Sequence, residues 1–551
     1  MLSIVNFKYN EKCIDEIEKW AFGKNWPAVY ITYNNSNAYV GETLDAVKRT
    51  KQHLSEDSFK DFSDICLISS RTFNKSVILD LESYLIKYMS ADESKSLTNA
   101  NLGIVDHDYF YKEAYEDDFK RIWQVLKELG IVSGSISDIE NSELFKYSPY
   151  KSLTVEQKGV AFDIIRRLCE INDATEKSLL KIAGGAGTGK TILAVYLVKL
   201  LKDISDDKKV WLTIDDAEDA MFIEKMSIKL RSFKRIGFVV PMVQLRTTIK
   251  RIFASIDGLS EDMVLSPEEV VKSYYDVLIV DEAHRLYRRK HLPGSHLYVK
   301  FDAINRNLMG AAFTKTEKDL TELDWIIRSS RLQVLFYDEY QTIRVPDIGP
   351  ERFDSICESR LYYYHVLLSQ MRCQGGEGYY DYIRYIIETE EPDIKRYRHF
   401  DNYELKVFDT VKDLSEMIDF KNNSEGLCRL VTGPGWSIGE PIMIEGESYH
   451  WGNDTNNPKA GDIFSIHKIQ GFDLNYSGVI FGKEVYYDET RKRIAVNKAE
   501  LKDSHTKSMG EEYMYRYVYN IYITLMTRGI KGTYVYAVDE KLRDYLRTFL
   551  G

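Results

Sequence analysis

The chain has 551 residues, more than one hydrophobic core comfortably organises, and at about 150 residues a unit it predicts three or four domains. Apolar residues make up 44% and aromatic ones 13%, which excludes wholesale disorder. The formal net charge of −11 excludes an all-over basic coat for nucleic acid but not a local basic groove, because phosphate contacts depend on where Lys and Arg lie. The cysteines, at 13, 66, 169, 357, 373 and 428, form no CxxC pair, so neither a zinc site nor a disulfide framework is expected. The N-terminus meets charge before a signal-peptide core could form, and no apolar run approaches ~20 residues. A soluble, cytoplasmic chain with reduced thiols and no membrane partner is the expectation; its oligomeric state is not legible.

Residues 1–105 read as a small α+β domain: a hairpin, a helix, the strand "DICLISS" and the helix "SVILDLESYLIKYM". The hairpin, "AVYITYNNSNAYVGET" (28–43), sets two β-prone runs about the turn-forming Asn34-Asn35-Ser36-Asn37, with tyrosines at 30, 33 and 39. In the next helix, Thr43 is a predicted N-cap with Asp45 in the first turn, and His53 lies one turn beyond Arg49 on the same face. On the wheel of "SVILDLESYLIKYM", Ile78, Leu81, Leu85 and Met89 form the apolar stripe with Glu82 in its middle. A carboxylate facing a core costs several kcal/mol unless it is paired or holds a metal.

"AVY…YVG" resembles the GIY-YIG nuclease signature, with Ala28 and Val29 where that family has Gly and Ile. The resemblance spans about residues 25–105 and implies a metal-dependent endonuclease. Tyr30, helped by Tyr39, would orient or deprotonate the attacking water, and Arg49 and His53 would face the phosphate. Glu82 would be the family's single divalent-metal ligand. Asn99 matches the trailing asparagine, and Asn101 competes for that role. A phenol beside Arg⁺ and a metal is expected to have a lowered pKa. The same residues also suit a non-cutting module in which the tyrosines pack across the turn and Glu82 pairs with Arg49.

Residues 106–150 read as an acidic helical linker, "YKEAYEDDFKRIWQVLKELG" followed by "IVSGSISD". Beyond it, "SLLKIAGG", "KVWLTI", "GFVVP", "DVLIVDE", "LQVLFYDE", "GLCRLVTG" and "GVIFGKE" alternate with helical segments. Buried strands spaced this way predict parallel sheets, here two α/β domains, 151–350 and 351–551.

"GGAGTGKT" joins an apolar strand to a helix, the context of a phosphate-binding loop. Gly184, Gly185, Ala186, Gly187, Thr188 and Gly189 would turn backbone N–H groups onto ATP phosphates, Lys190 would reach the β/γ-phosphates, and Thr191 would ligate Mg²⁺. The strand of "YYDVLIVDEAH" ends in two carboxylates, Asp281 for Mg²⁺ and Glu282 to orient or deprotonate water. "DEAH" points toward the helicase group of that name, but no QxxGRxGR-like segment follows. Instead "FYDEYQTIR", "LLSQMRC", "IFSIHKIQGFDLN" and "YITLMTRGIKG" resemble, in order, motifs III to VI of superfamily 1 helicases, and "SLTVEQ" places Gln157 as an adenine-reading glutamine.

With "VVPMVQLRTTIKRIF", "VTGPGW" and "TRGIKGTYVYAVDEKLRDYL", residues 151–551 resemble the helicase domain of the Schlafen group. That resemblance implies two RecA-like domains with ATP and Mg²⁺ between them. Gln341 would sense the γ-phosphate, and Arg372 and Arg528 would serve as arginine fingers. His467 and Gln470, beside Gly471, would couple a DNA or RNA strand, with a single-stranded segment, to the nucleotide. The basic stretches "RLYRRKHL" and "KRYRHF" suit either the strand path or solvated helix faces. The whole reads as an ATP-dependent helicase or translocase carrying a nuclease that uses a second divalent metal, in the manner of bacterial antiviral systems. The competing reading is an ATP-gated nucleic-acid switch whose N-terminal module recruits rather than cuts.

Overall fold

The computed structural model describes residues 2–92, 94–98, 109–147, 153–171, 177–185, 187–213, 217–292, 294–316, 318–338, 341, 346–367, 373–455, 458–469, 474–502, 507 and 510–551. Asn99, Asn101, Ala186, Arg372, Gln470 and Gly471 lie outside these residues, as does the side chain of His467.

The first sheet takes β1 (Leu2–Lys8), β2 (Ala28–Tyr33), β3 (Asn37–Thr43), β4 (Asp64–Ser70) and β5 (Ser96–Leu97) in the order β1-β4-β2-β3-β5. The hairpin is longer than its β-prone runs because Asn34 closes it: its Oδ1 accepts from Ser36 N at 2.8 Å and Asn37 N at 2.7 Å. Alternation splits the sheet's faces. Val29, Ile31, Ala38 and Val40 meet the helix Lys75–Asp92, while Tyr30, Ile65 and Leu67 share a core with residues from the helices Cys13–Lys19 and Ala46–Leu54. The cap of Ala46–Leu54 differs from expectation. Asp45, directly before the first helical residue, accepts from Lys48 N at 2.8 Å, whereas Thr43 still belongs to β3 and bonds the Asp45 backbone.

The expected helical linker, described over 109–147, packs into the core of the first domain. Helix Glu116–Glu128 buries Phe119, Ile122, Trp123 and Leu126, at spacings that share one helical face. Ile131 and Val132, in the expected linker, are buried in the same core. Asp92 accepts from the backbone N–H of Ser133 at 3.0 Å and of Gly134, so that turn is held to the end of Lys75–Asp92. Helix Ile136–Asn141 is tied on two sides. Tyr88 donates to Glu140 at 2.6 Å, and Asn141 bonds the Glu425 carbonyl at 3.3 Å and Asn475 at 3.1 Å. One apolar core runs without interruption from Val29 through Trp123 to Leu180 and Leu197.

The second sheet contains β6 (Leu179–Gly184), β7 (Ile236–Val239), β8 (Val264–Leu265), β9 (Tyr275–Val280), β10 (Ser330–Tyr337) and β11 (Leu361–Leu367), all parallel, in the order β11-β6-β10-β9-β7-β8. Two expectations change here. "KVWLTI" forms a 3₁₀ turn, Val210–Thr213, because the place beside β9 is filled by β7. β11 pairs with β6, so this sheet draws its last strand from beyond residue 350.

The third sheet holds β12 (Glu404–Val407), β13 (Cys428–Thr432), β14 (Ile442–Ile444), β15 (Glu447–Trp451), β16 (Asp462–Ser465), β17 (Leu474–Phe481) and, after a separate hairpin of β18 (Val485–Asp488) and β19 (Arg493–Val496), β20 (Gly529–Ala537). Its order is β12-β20-β17-β13-β16-β15-β14, with only β14 antiparallel to its neighbour. The six cysteines are free, and no described helix is long and apolar enough to cross a membrane.

Candidate active sites

The glycine-rich loop leaves β6 and opens the helix Lys190–Ser205. Gly187 and Gly189 hold φ of +84° and +76°, a region costly for residues with a Cβ. At Gly184 a Cβ would stand 2.7 Å from Thr188 Oγ1, so the close turn needs glycine there too. Lys190 is buried, and its Nζ donates to the Gly184 and Gly185 carbonyls, both at 2.7 Å, and lies 3.2 Å from Asp338 Oδ2. Gln157 completes a capping box with Thr154 and donates to Thr188 O at 3.0 Å, so it braces the loop.

Thr191 Oγ1 donates to Asp281 Oδ2 at 2.7 Å. Asp281 Oδ1 is buried and has no hydrogen-bond partner among the described residues. A buried carboxylate oxygen left bare beside a hydroxyl is a fitting pair of ligands for a hard divalent cation. Burial, then the neighbouring Glu282, pushes the Asp281 carboxyl above the usual carboxylate range. Glu282, in the left-handed region at φ 52°, sits 3.1 Å from His284 Nε2. Burial acts to raise it, but His284, Lys190 and Arg285 together hold it below the usual carboxylate range. The Asp338 N–H donates to His284 Nδ1 at 3.3 Å, which leaves Nε2 to carry the proton toward Glu282.

Asp338 also accepts from Gln341 Nε2 at 2.7 Å, and Gln341 Oε1 accepts from Arg528 Nη2 at 3.3 Å. A continuous polar chain therefore runs from the loop lysine to the arginine just before β20. The arginines of "RLYRRKHL" behave differently: Arg285 pairs with Asp347 at 3.2 Å, and Arg289 with Asp302 at 3.0 Å, inside the domain. "KRYRHF" is mostly exposed.

In the N-terminal domain Tyr30 pairs across the hairpin with Gly41, and its ring lies over that glycine so closely that a Cβ would stand 2.3 Å from the hydroxyl. The Tyr30 hydroxyl is 2.7 Å from His53 Nε2 and accepts from Arg49 Nε at 3.2 Å. Tyr39 stacks on Tyr30 with ring centroids 6.1 Å apart. Glu82 is buried on a helix packed against the opposite face, yet its charge acts on both phenols. Among the described residues no three His, Cys, Asp or Glu side chains are grouped for a metal. One expectation reverses. Burial first, then Tyr39, raises Tyr30 above its ordinary phenol value, and the opposing Arg49 is too weak to lower it. Tyr39 is raised as well, by burial and then by Glu82. Burial, then Arg49, pushes His53 below the usual imidazole range.

The family described as Schlafen group 3, DNA/RNA helicase domain, matches residues 177–539, most of the chain. The chain belongs to that family. A relative, Uncharacterized protein YPL245W of Saccharomyces cerevisiae, is 24% identical over 423 residues, covering 68% of this chain and 85% of the yeast protein. Among solved structures, the arterivirus nonstructural protein 10 (helicase) is 14% identical with a TM-score of 0.30, over 69% of this chain and 63% of the viral one. The Pif1 helicase from Bacteroides in complex with ADP-AlF3 and ssDNA is 13% identical with a TM-score of 0.25, over 72% and 97%.

Three side chains around the two sites of this Schlafen group 3 protein carried no sequence signal. His284 occurs in "DEAH", but its bridge from Glu282 to the Asp338 backbone depends on two strands meeting. Tyr380 reaches the loop from the helix Glu377–Glu388, its ring 3.7 Å from where a Gly185 Cβ would be. Glu56 lies beyond the helix Ala46–Leu54 and accepts from Gln52 at 3.1 Å.

Proposed function

We propose that the chain is an ATP-driven helicase or translocase on DNA or RNA with a single-stranded segment, and that its N-terminal domain cuts phosphodiesters. The observation that carries the motor is the chain Lys190–Asp338–Gln341–Arg528, which joins the segments that follow β6 and β10 of the second sheet to the residue that precedes β20 of the third. Lys190 occupied by Asp338 and two carbonyls is a resting arrangement. A nucleotide γ-phosphate competes for the same ammonium, frees Asp338 and Gln341, and gives Arg528 a new anionic partner. Glu282, held ionised by His284, is placed to orient and take a proton from the attacking water. Mg²⁺ bound by Thr191 and Asp281 would neutralise phosphate charge. Exchange of Arg528 between Gln341 and phosphate then ties hydrolysis to the spacing of the two domains, which is how grip on a strand becomes movement. The test is ATP hydrolysis by the full chain with and without single-stranded DNA and RNA. Stimulation by either supports the motor, and none by both removes it.

For the N-terminal site, the support is the contact of Tyr30 with Tyr39, Arg49 and His53, together with a buried Glu82 whose charge acts on both phenols. A divalent cation held by Glu82 would stabilise charge on the leaving oxygen, while Arg49 neutralises the phosphate. A setting in bacterial antiviral defence is part of this reading and rests on the pairing of motor and cutter. The ATP-gated switch with a recruiting module stays in view for one reason: burial leaves Tyr30 a poor acid, as in a packed, inert hairpin. Metal-dependent cleavage by wild type, Tyr30→Phe and Glu82→Ala decides between them. Loss in both variants supports cutting, and equal cleavage in all three supports the switch.

A further inference from the structure

Tyr30 and four side chains beside it close a hydrogen-bonded ring that neither the signature nor the wheel anticipates. Arg49 Nε donates to the Tyr30 hydroxyl at 3.2 Å, and Arg49 Nη1 donates to Gln52 Oε1 at 3.0 Å. Gln52 Nε2 donates to Glu56 Oε1 at 3.1 Å, the other Glu56 oxygen lies 3.1 Å from His53 Nδ1, and His53 Nε2 lies 2.7 Å from the Tyr30 hydroxyl. We infer that Glu56 is the positioning residue of a Tyr30–His53–Glu56 proton relay in this site. The inference rests on the nuclease reading above and deepens it.

Donor and acceptor logic fixes the direction of the ring. A guanidinium has only donors, so the phenol oxygen and Gln52 Oε1 must accept from Arg49. The Gln52 amide N–H₂ then faces Glu56, whose carboxylate can only accept. Flipping Gln52 would turn two N–H groups toward Arg49 and a carbonyl toward a carboxylate, two mismatches at once. With its oxygen already accepting from Arg49, Tyr30 has its own O–H to give, and His53 Nε2 is the nitrogen in reach. The imidazole hydrogen therefore sits on Nδ1 and donates to Glu56. The ring is also held sterically: Phe59 stacks on His53 with centroids 3.7 Å apart, and Tyr39 meets its edge at 5.9 Å. The charged and titratable groups facing His53 are thus Tyr30 and Tyr39 from the hairpin and Arg49 and Glu56 from its own helix and the turn after it. Burial and Arg49 keep the imidazole neutral, the form that can accept a proton.

The chemistry balances without any further reactant. The attacking water gives a proton to the Tyr30 oxygen as the phenol proton passes to His53 Nε2. The hydroxide electron pair forms the new P–O bond, and the bond to the leaving oxygen breaks with its own pair, that oxygen taking a proton from solvent. The imidazolium so formed has Glu56 on its other side, and it returns its proton to solvent through Tyr30. A carboxylate that holds the imidazole in one tautomer and stabilises its cation does the work of the third member of a hydrolase triad.

The test uses the full chain with supercoiled plasmid and end-labelled single-stranded RNA as probes, in Mg²⁺ and in Mn²⁺. Glu56→Ala is expected to lower the single-turnover cleavage rate about ten- to a hundred-fold with little change in substrate half-saturation, and Glu56→Gln to recover part of it, since its carbonyl oxygen can still accept from Nδ1. In parallel, protein labelled with ¹⁵N only in histidine should show His53 with its hydrogen on Nδ1, a signature that turns into a mixture of tautomers in Glu56→Ala. A wild-type cleavage rate in Glu56→Ala, while Tyr30→Phe is dead, overturns the relay and leaves the nuclease. An Nε2-protonated His53 in the wild type overturns it as well. Equal cleavage in wild type, Tyr30→Phe and Glu82→Ala removes the nuclease itself and the relay with it.

Discussion

Replacing Gly41 by alanine isolates one steric claim about the N-terminal site. The glycine lies in β3 with ordinary extended backbone, so alanine brings no φ penalty, only a methyl group. That methyl would stand 2.3 Å from Tyr30 Oη, 2.4 Å from Cζ and 2.8 Å from Cε1. Ordinary carbon contacts begin near ~3.5 Å, so the ring must retreat by roughly 1 Å. Tyr30 cannot do so quietly, being almost fully buried and held by His53 and Arg49. Overpacking of this kind costs about 1–3 kcal/mol, and a hydrogen bond to a charged group adds about 1.5–3 kcal/mol if it breaks. Gly41→Ala should therefore lower the melting temperature of the N-terminal transition and abolish cleavage of plasmid or RNA. Tyr30→Phe should not rescue its stability, because Cζ clashes almost as badly as the hydroxyl, whereas Tyr30→Leu should rescue it in part. A Gly41→Ala protein with wild-type melting and cleavage would refute the placement of the ring.

Lys190→Ala should remove ATP hydrolysis without unfolding the chain, since Asp338 keeps its bond from Gln341; unchanged turnover would remove the phosphate-loop assignment. Arg528→Glu should cut hydrolysis while sparing ATP binding measured by a fluorescent analogue, and a pure loss of binding would make it a ligand contact instead. Glu484 is fully buried beneath Gly435, accepts from Tyr522, and is raised by burial to about 7. Its folded value lies above its unfolded one, so the folded state is favoured most below the ordinary carboxylate range, and that advantage is lost as pH rises toward 7. Glu484→Gln should melt like wild type near pH 4 and above it near pH 7, with a gap growing by at most ~1.4 kcal/mol per pH unit. A constant difference across that range would show that the carboxyl does not titrate on unfolding.

Much of the nucleotide site was legible because its chemistry is written in local spacing. A strand, a glycine loop and a helix are contiguous, with Thr191 in the first turn of that helix, and Asp281 directly follows the apolar strand β9. The partner of Lys190 was not, since Asp338 lies 148 positions away and meets it only when β10 settles beside β6. In the small domain the wheel found Glu82 because a lone carboxylate in an apolar stripe is a local anomaly. It gave no sign of the raised Tyr30, because the burial that outweighs Arg49 comes from residues on β4 and the helices packed over it. The Thr43 cap and the "KVWLTI" strand failed for the same reason: propensity names several places for an element, and packing chooses one. The extra strand at 361–367 was hidden by its alternation of half-buried and exposed residues, the pattern of a sheet edge.

Helix Ile136–Asn141 has a mechanical consequence. Two adjacent residues face opposite ways, Glu140 gripping Tyr88 on the helix that bears Glu82 and Asn141 gripping the loop and strand around Glu425 and Asn475. If the distal domain swings, those grips either drag the short helix along or let go at about 1 kcal/mol apiece. On the proposed reading of the two halves, this six-residue pawl would wire the small domain to the stroke of the motor, so that its geometry would follow where the motor stands in its cycle.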